Sequence, residues 1–226
     1  MKLFIDSADS SEIERWLSAG IRDGITTNPS LLKKAGVTDP VLAWRGIVDL
    51  IKKYSQVPLS LSVEVFKDDA DGMVNQAREF IDQLGYAGAT IKIPILGTDG
   101  KDRLAVIHTL SSERITVNCT GCITWFQAFS AAKAGARFVS LLYRRILDAG
   151  LDGLGMIRET RKLIDFHGLH SEIIIGSIRK YVDVLDAYGA GGHIITIPPK
   201  FMPQLLFHKK SVDTQNQFLR DAGMQV

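Results

Sequence analysis

The chain has 226 residues, 46% of them hydrophobic and 23% charged, which suits one large domain with a sizeable core. A net charge of +2 gives no bulk reason to expect nucleic acid or a membrane as partner, and no apolar run is long enough to cross a bilayer. The opening segment MKLFIDSADSSEIERW reaches carboxylates after a very short apolar stretch, unlike a secretory signal. With only two cysteines in the chain, a cytoplasmic location is the expectation.

Short β-branched runs alternate with longer amphipathic ones, with no Pro/Ser/Gly-rich linker between them. KLFID (2–6) is the first strand-like run, and SSEIERWLSAG follows as a helix with a serine cap that closes on Gly20. GITTN (24–28) comes next. DPVLAWRGIVDLIKKY then sets Pro40 directly after Asp39, in a first helical turn that tolerates proline. LSLSVEV (59–65) precedes the helical DDADGMVNQAREFIDQLG, ATIKIPI (89–95) precedes DRLAVIHTLSSE, and ITVNCT (115–120) precedes WFQAFSAAKAGA. FVSLL (138–142) leads to GLGMIRETRKLIDFHG, EIIIGSI (172–178) to KYVDVLDAYGA, and HIITIPP (193–199) is the eighth strand. The segment 211–222 remains as a C-terminal helical extension.

Eight strands alternating with helices predict an α/β fold, a single (β/α)8 TIM barrel domain over residues 1–226. A doubly wound open sheet is the competing architecture. It calls for a glycine fingerprint after the first strand, and IDSADSS contains no glycine.

Barrel sites lie at the C-terminal ends of strands, so polar residues late in each strand are the candidates. These are Asp6, Asn28, Glu64, Lys92, Asn118 with Thr120, Ser140, and Ser177 with Arg179. Period-2 alternation puts Asn118 and Thr120 on one face with Cys119 on the other, and groups Ser60, Ser62 and Glu64, as well as Thr90 and Lys92. Lys92 lies between Ile91 and Ile93, where desolvation favours the neutral amine that attacks a carbonyl to form a Schiff base. A structural ion pair of Lys92 with Glu64 or Asp6 is the alternative, and position alone weighs the two equally.

The segments LFIDSAD, DGITTNPSLL, SVEV, GMVNQAREF, IKIP, ITVNCT, QAFSAAKAGARFVS and GSIR, in this order, resemble the transaldolase family, in its short-chain branch that includes fructose-6-phosphate aldolase. The resemblance implies a (β/α)8 barrel, with Lys92 as the Schiff-base nucleophile and Asp6 as the acid/base of carbon–carbon cleavage. It implies that Glu64 and Thr120 hold a catalytic water. Asn28, Asn118 and Ser140 match substrate-binding residues, and Arg145, Ser177 and Arg179 match a phosphate-binding group. Glu64 stands where the aldolase branch has glutamine, and Asn118 and Ser140 lean the same way. Transfer of a dihydroxyacetone unit between sugar phosphates is therefore expected over its release. The resemblance also implies a homo-oligomer built from rings of five, a pentamer or a decamer.

The chain departs from the family after Ser140. Leu142 stands where the family has an aromatic ring, Arg144 replaces a small residue, and Leu147 stands near a common Asp. A non-standard substrate or reduced activity on fructose 6-phosphate is the consequence expected. Cys119 and Cys122 have redox or metal spacing but no second pair, and read as buried structural thiols. The five histidines share no ligand spacing, so no metal and no cofactor is expected.

Overall fold

The computed structural model describes residues 1–225; Val226, the end of the expected domain, lies outside the described residues. In chain order the elements are β1 (Lys2–Asp6), α1 (Ser10–Ser18), β2 (Gly24–Thr26), α2 (Pro29–Lys34), α3 (Pro40–Tyr54), β3 (Ser60–Glu64) and α4 (Ala70–Leu84). They continue with β4 (Ala89–Pro94), α5 (Leu104–Ser112), β5 (Val117–Cys122), α6 (Trp125–Lys133), β6 (Phe138–Leu142), α7 (Tyr143–Asp148) and α8 (Gly153–Phe166). Then come β7 (Glu172–Gly176), α9 (Tyr181–Gly189), β8 (Ile194–Ile197), α10 (Met202–Leu206) and α11 (Lys209–Asp221). The strands close into a parallel barrel in sequence order, β8 returning to β1. This is the expected TIM barrel with its C-terminal helix.

Local chemistry accounts for the helix starts. Asp39 caps α3 by accepting from Leu42 N at 3.0 Å, ahead of Pro40 as the sequence suggests. The cap of α1 is Asp9 rather than a serine: its Oδ1 accepts from Ser11 N at 2.8 Å and Glu12 N at 3.0 Å. A carboxylate meets two orphan amides and the positive helix end, which one hydroxyl cannot do. Strand β5 also runs two residues beyond its expected end, to Cys122, through an irregularity in its pairing with β6 between Cys119 and Cys122. Gly121 adopts φ 79 there, a backbone state that glycine reaches without a Cβ penalty.

The main core lies between barrel and helices. Ile5, Ile25, Leu61, Val63, Ile91, Ile93, Cys119, Val139 and Ile175 are fully buried on the outward faces of the strands. Each large aliphatic side chain contributes about 1.5–3 kcal/mol on leaving water. Inside the barrel a separate cluster of Phe4, Phe138, Ile174 and Ile194 forms a plug, with the two rings edge to face at 6.3 Å. Gly24 makes room for it, since a Cβ there would sit 2.5 Å from the Phe4 ring. Two residues further along the same strands, above this plug, the inward positions are Asp6, Ser140 and Thr196, with Gly176 on β7. Among the described residues no helix is long and apolar enough to cross a membrane.

Candidate active site

Register alone places the central residues side by side. Asp6 pairs with Thr26 across β1 and β2, Glu64 with Lys92 across β3 and β4, and Lys92 with Asn118 across β4 and β5. The cavity at this level is lined by Asp6, Thr26, Asn28, Lys92, Asn118, Thr120, Ser140, Leu142, Ile174, Gly176, Ser177 and Thr196. Seven of the sequence-derived candidates thus meet in one wall: Asp6, Asn28, Lys92, Asn118, Thr120, Ser140 and Ser177.

Lys92 is 7% exposed, and its ammonium makes two contacts. Nζ donates to the Thr27 carbonyl oxygen at 3.0 Å and lies 2.9 Å from Glu64 Oε2. An ammonium has three donors, so one remains for the cavity. Glu64 does not itself line that cavity; the ion pair joins it to the site. The ion pair weighed against a nucleophilic role therefore exists, and the same residue lines the cavity.

Asp6 sits in a hydroxyl relay that the sequence reading missed. Thr26 Oγ1 donates to Asp6 Oδ1 at 2.8 Å and lies 2.5 Å from Thr196 Oγ1. Thr26 has one proton and gives it to the carboxylate, so Thr196 donates to Thr26. Burial pushes the Asp6 carboxyl above its ordinary value, and Glu64's charge adds to this. The Thr26 hydrogen bond and the Lys92 charge pull it back without cancelling the rise.

A second relay fixes Asn118. Ser140 Oγ donates to Asn118 Oδ1 at 2.7 Å, and Asn118 Nδ2 donates to Ser62 Oγ at 3.2 Å. Beneath Lys92, Trp44 Nε1 donates to Thr27 Oγ1 at 3.1 Å, and that hydroxyl donates to Ser62 O at 2.9 Å. The buried indole of α3 thereby braces the residue whose carbonyl holds Lys92. Asn28 is divided between two tasks. Its Oδ1 caps α2 by accepting from Leu31 N at 3.0 Å, and the residue also lines the cavity.

Beyond Ser140 the departures from the family become geometry. Leu142 lines the cavity, while Tyr143 is 2% exposed and turned away, donating to Asp186 Oδ2 at 2.9 Å. Burial and that carboxylate push its phenol up to about 12. Tyr143 therefore does not supply the ring that Leu142 lacks in the wall. Ser177 takes a left-handed φ of 61, uncommon for a residue with a side chain. Arg145 is exposed on α7, and Arg179 Nη1 reaches Asp148 Oδ2 at 2.8 Å on the surface, so neither arginine lines the cavity.

Cys119 and Cys122 are free and buried, with their Sγ atoms 3.8 Å apart. Contact with the Cys122 thiol, then burial, pushes Cys119 well above its ordinary value. Among the described residues no three His, Cys, Asp or Glu side chains cluster as metal ligands would.

The closed parallel barrel thus holds a buried lysine beside two carboxylates, with one relay of hydroxyls on Asp6 and a second through the Asn118 amide. The chain belongs to the transaldolase/fructose-6-phosphate aldolase family, whose profile matches residues 3–225. Among its relatives, a probable transaldolase of Symbiobacterium thermophilum is 37% identical over 221 residues, covering 98% of this chain and 96% of the other. A probable transaldolase of Streptococcus agalactiae is 38% identical over 222 residues, covering 98% and 97%. One of Anaeromyxobacter is 36% identical over 222 residues, covering 98% and 96%.

Proposed function

We propose that this protein is a Schiff-base transaldolase that moves a dihydroxyacetone unit from a ketose phosphate donor to an aldose phosphate acceptor. The observation that carries the reading is Lys92, which lines the cavity together with Asp6 and has Glu64 beside its amine.

In this reading Glu64 takes the ammonium proton, and the free amine of Lys92 attacks the donor's C2 carbonyl to give a carbinolamine. Proton delivery through a water held by Glu64 and Thr120 expels hydroxide as water, leaving an iminium ion next to the Glu64 carboxylate. Asp6 removes the C4 hydroxyl proton and the C3–C4 bond breaks; its electrons form the C2=C3 double bond of an enamine while the C=N π pair moves onto the Lys92 nitrogen and discharges the iminium ion. The aldose phosphate departs. The enamine carbon then attacks the acceptor aldehyde, Asp6 returns its proton to the new hydroxyl, and water hydrolyses the iminium ion. Asn28, Asn118 and Ser140 hold the donor hydroxyls. Ser177, Arg145 and Arg179 serve the phosphate, which requires both guanidinium groups to turn toward the mouth. Neutral polar groups locked in relays suit this work, because they orient hydroxyls without competing for the proton.

The exposed face of α11, which buries no side chain and presents Val212 and Phe218, fits a contact in a homo-oligomer such as a pentamer or decamer. A coupled assay tests the activity: fructose 6-phosphate as donor, erythrose 4-phosphate as acceptor, with released glyceraldehyde 3-phosphate followed. Transfer that depends on the acceptor supports the reading. Release of free dihydroxyacetone at the same rate without acceptor assigns aldolase chemistry instead.

A further inference from the structure

The β6–α7 junction grips the start of α9 through a buried ion pair that no step above uses. Arg144 Nε donates to Asp183 Oδ2 at 2.8 Å, and Arg144 Nη2 donates to Asp183 Oδ1. The Asp183 residue is fully buried, and its Oδ2 also accepts from the backbone N–H groups of Arg179 and Lys180, each at 2.8 Å. Burial opposes ionisation of Asp183, yet these donors outweigh it and hold the carboxyl below its ordinary value. One carboxylate therefore ties α7 to the loop that follows β7. The same loop carries Ser177, in its left-handed conformation on the cavity wall.

We propose that Arg144 is a positioning residue for the anionic end of the substrate, acting through Asp183 to fix the 177–180 backbone and to neutralise a buried negative charge beside it. This rests on the transaldolase reading and deepens it toward phosphorylated substrates. Two physical effects follow from losing the guanidinium. The loop loses its covalently remote anchor on α7, so Ser177 and the Arg179 backbone lose their set position. Asp183 also becomes an uncompensated carboxylate that repels an incoming phosphate dianion. A substrate without phosphate needs neither service.

The test compares wild type, Arg144→Gln and Arg144→Lys with erythrose 4-phosphate and with erythrose as acceptors. Reductive trapping of dihydroxyacetone on Lys92 runs alongside as a readout of the covalent step. In Arg144→Gln, KM for erythrose 4-phosphate is expected to rise about tenfold, the size of one unmade buried hydrogen bond. The kcat with erythrose and the trapped adduct are expected to stay at wild-type levels. Arg144→Lys, which keeps charge but not the two-pronged geometry, is expected to lie between them, and it carries the test if Arg144→Gln does not fold. An unchanged KM for erythrose 4-phosphate overturns the proposal, as does an equal loss on both acceptors with loss of trapping. Absence of an adduct in wild type refutes the underlying transaldolase reading instead, and this proposal with it.

Discussion

Replacing Thr26 with valine removes one proton donor from Asp6 and changes almost nothing in volume. Asp6 already titrates above its ordinary range because of burial, and the Thr26 hydroxyl at 2.8 Å is the largest influence lowering it. The charged groups facing it are Lys92 from β4 and Glu64 from β3; Thr26 reaches it from β2, with Thr196 of β8 behind. A hydrogen bond to a charged group contributes about 1.5–3 kcal/mol, and one pH unit corresponds to about 1.4 kcal/mol. Asp6 lines the open cavity, so water recovers part of the loss, leaving an upward move of about one unit. In the proposed mechanism the ionised carboxylate is the base in carbon–carbon cleavage, so the acid limb of the kcat/KM profile is set by this group. That limb is expected to move to higher pH by about one unit in Thr26→Val while the alkaline limb stays in place. An acid limb that stays put, or moves to lower pH, would falsify the assignment of Asp6 as the base and the relay that serves it.

The same burial makes Asp6 a stability liability. A carboxyl raised in the folded state contributes stability that is complete below its unfolded pKa and lost as pH rises through its folded pKa. Asp6→Asn is therefore expected to raise Tm relative to wild type at pH 8 and to lose that advantage at pH 3.5, while abolishing transfer; thermal melts at both pH values check this. Gly24→Ala forces a Cβ to within 2.5 Å of the Phe4 ring and is expected to cost about 1–3 kcal/mol in urea unfolding. A variant as stable as wild type would show that the barrel plug has slack. The buried Cys119 and Cys122 thiols are expected to ignore a thiol-reactive dye in the native protein and to react together in guanidinium chloride. Stoichiometric labelling of the folded protein would contradict their burial.

The barrel was legible because its strands are short, β-branched and regularly spaced, and because inward parity follows from position. Asp6, Lys92, Asn118 and Ser140 announced themselves as polar residues late in apolar strands. Thr26 and Thr196 did not, since threonine is an ordinary strand residue and a hydroxyl there carries no signal until its partner is known. Trp44 carries no local signal on its helix, and only the tertiary contact reveals an N–H braced on Thr27. The Arg144–Asp183 pair joins residues 39 apart in sequence, and no local pattern links them. Helices α2 and α7 were overlooked because six residues are too few for a periodic apolar stripe. Arg145 and Arg179 were legible as charges, but the direction in which long side chains point was not.

The central claim is a covalent bond between Lys92 and a ketose. Incubation with dihydroxyacetone or fructose 6-phosphate, reduction with borohydride and peptide mass spectrometry read it directly. A reduced adduct on Lys92, absent in Lys92→Met and absent without reductant, is the predicted result. An unmodified Lys92 with every ketose offered would mean that its ion pair with Glu64 is its whole role, and that the barrel binds sugar phosphates without transforming them.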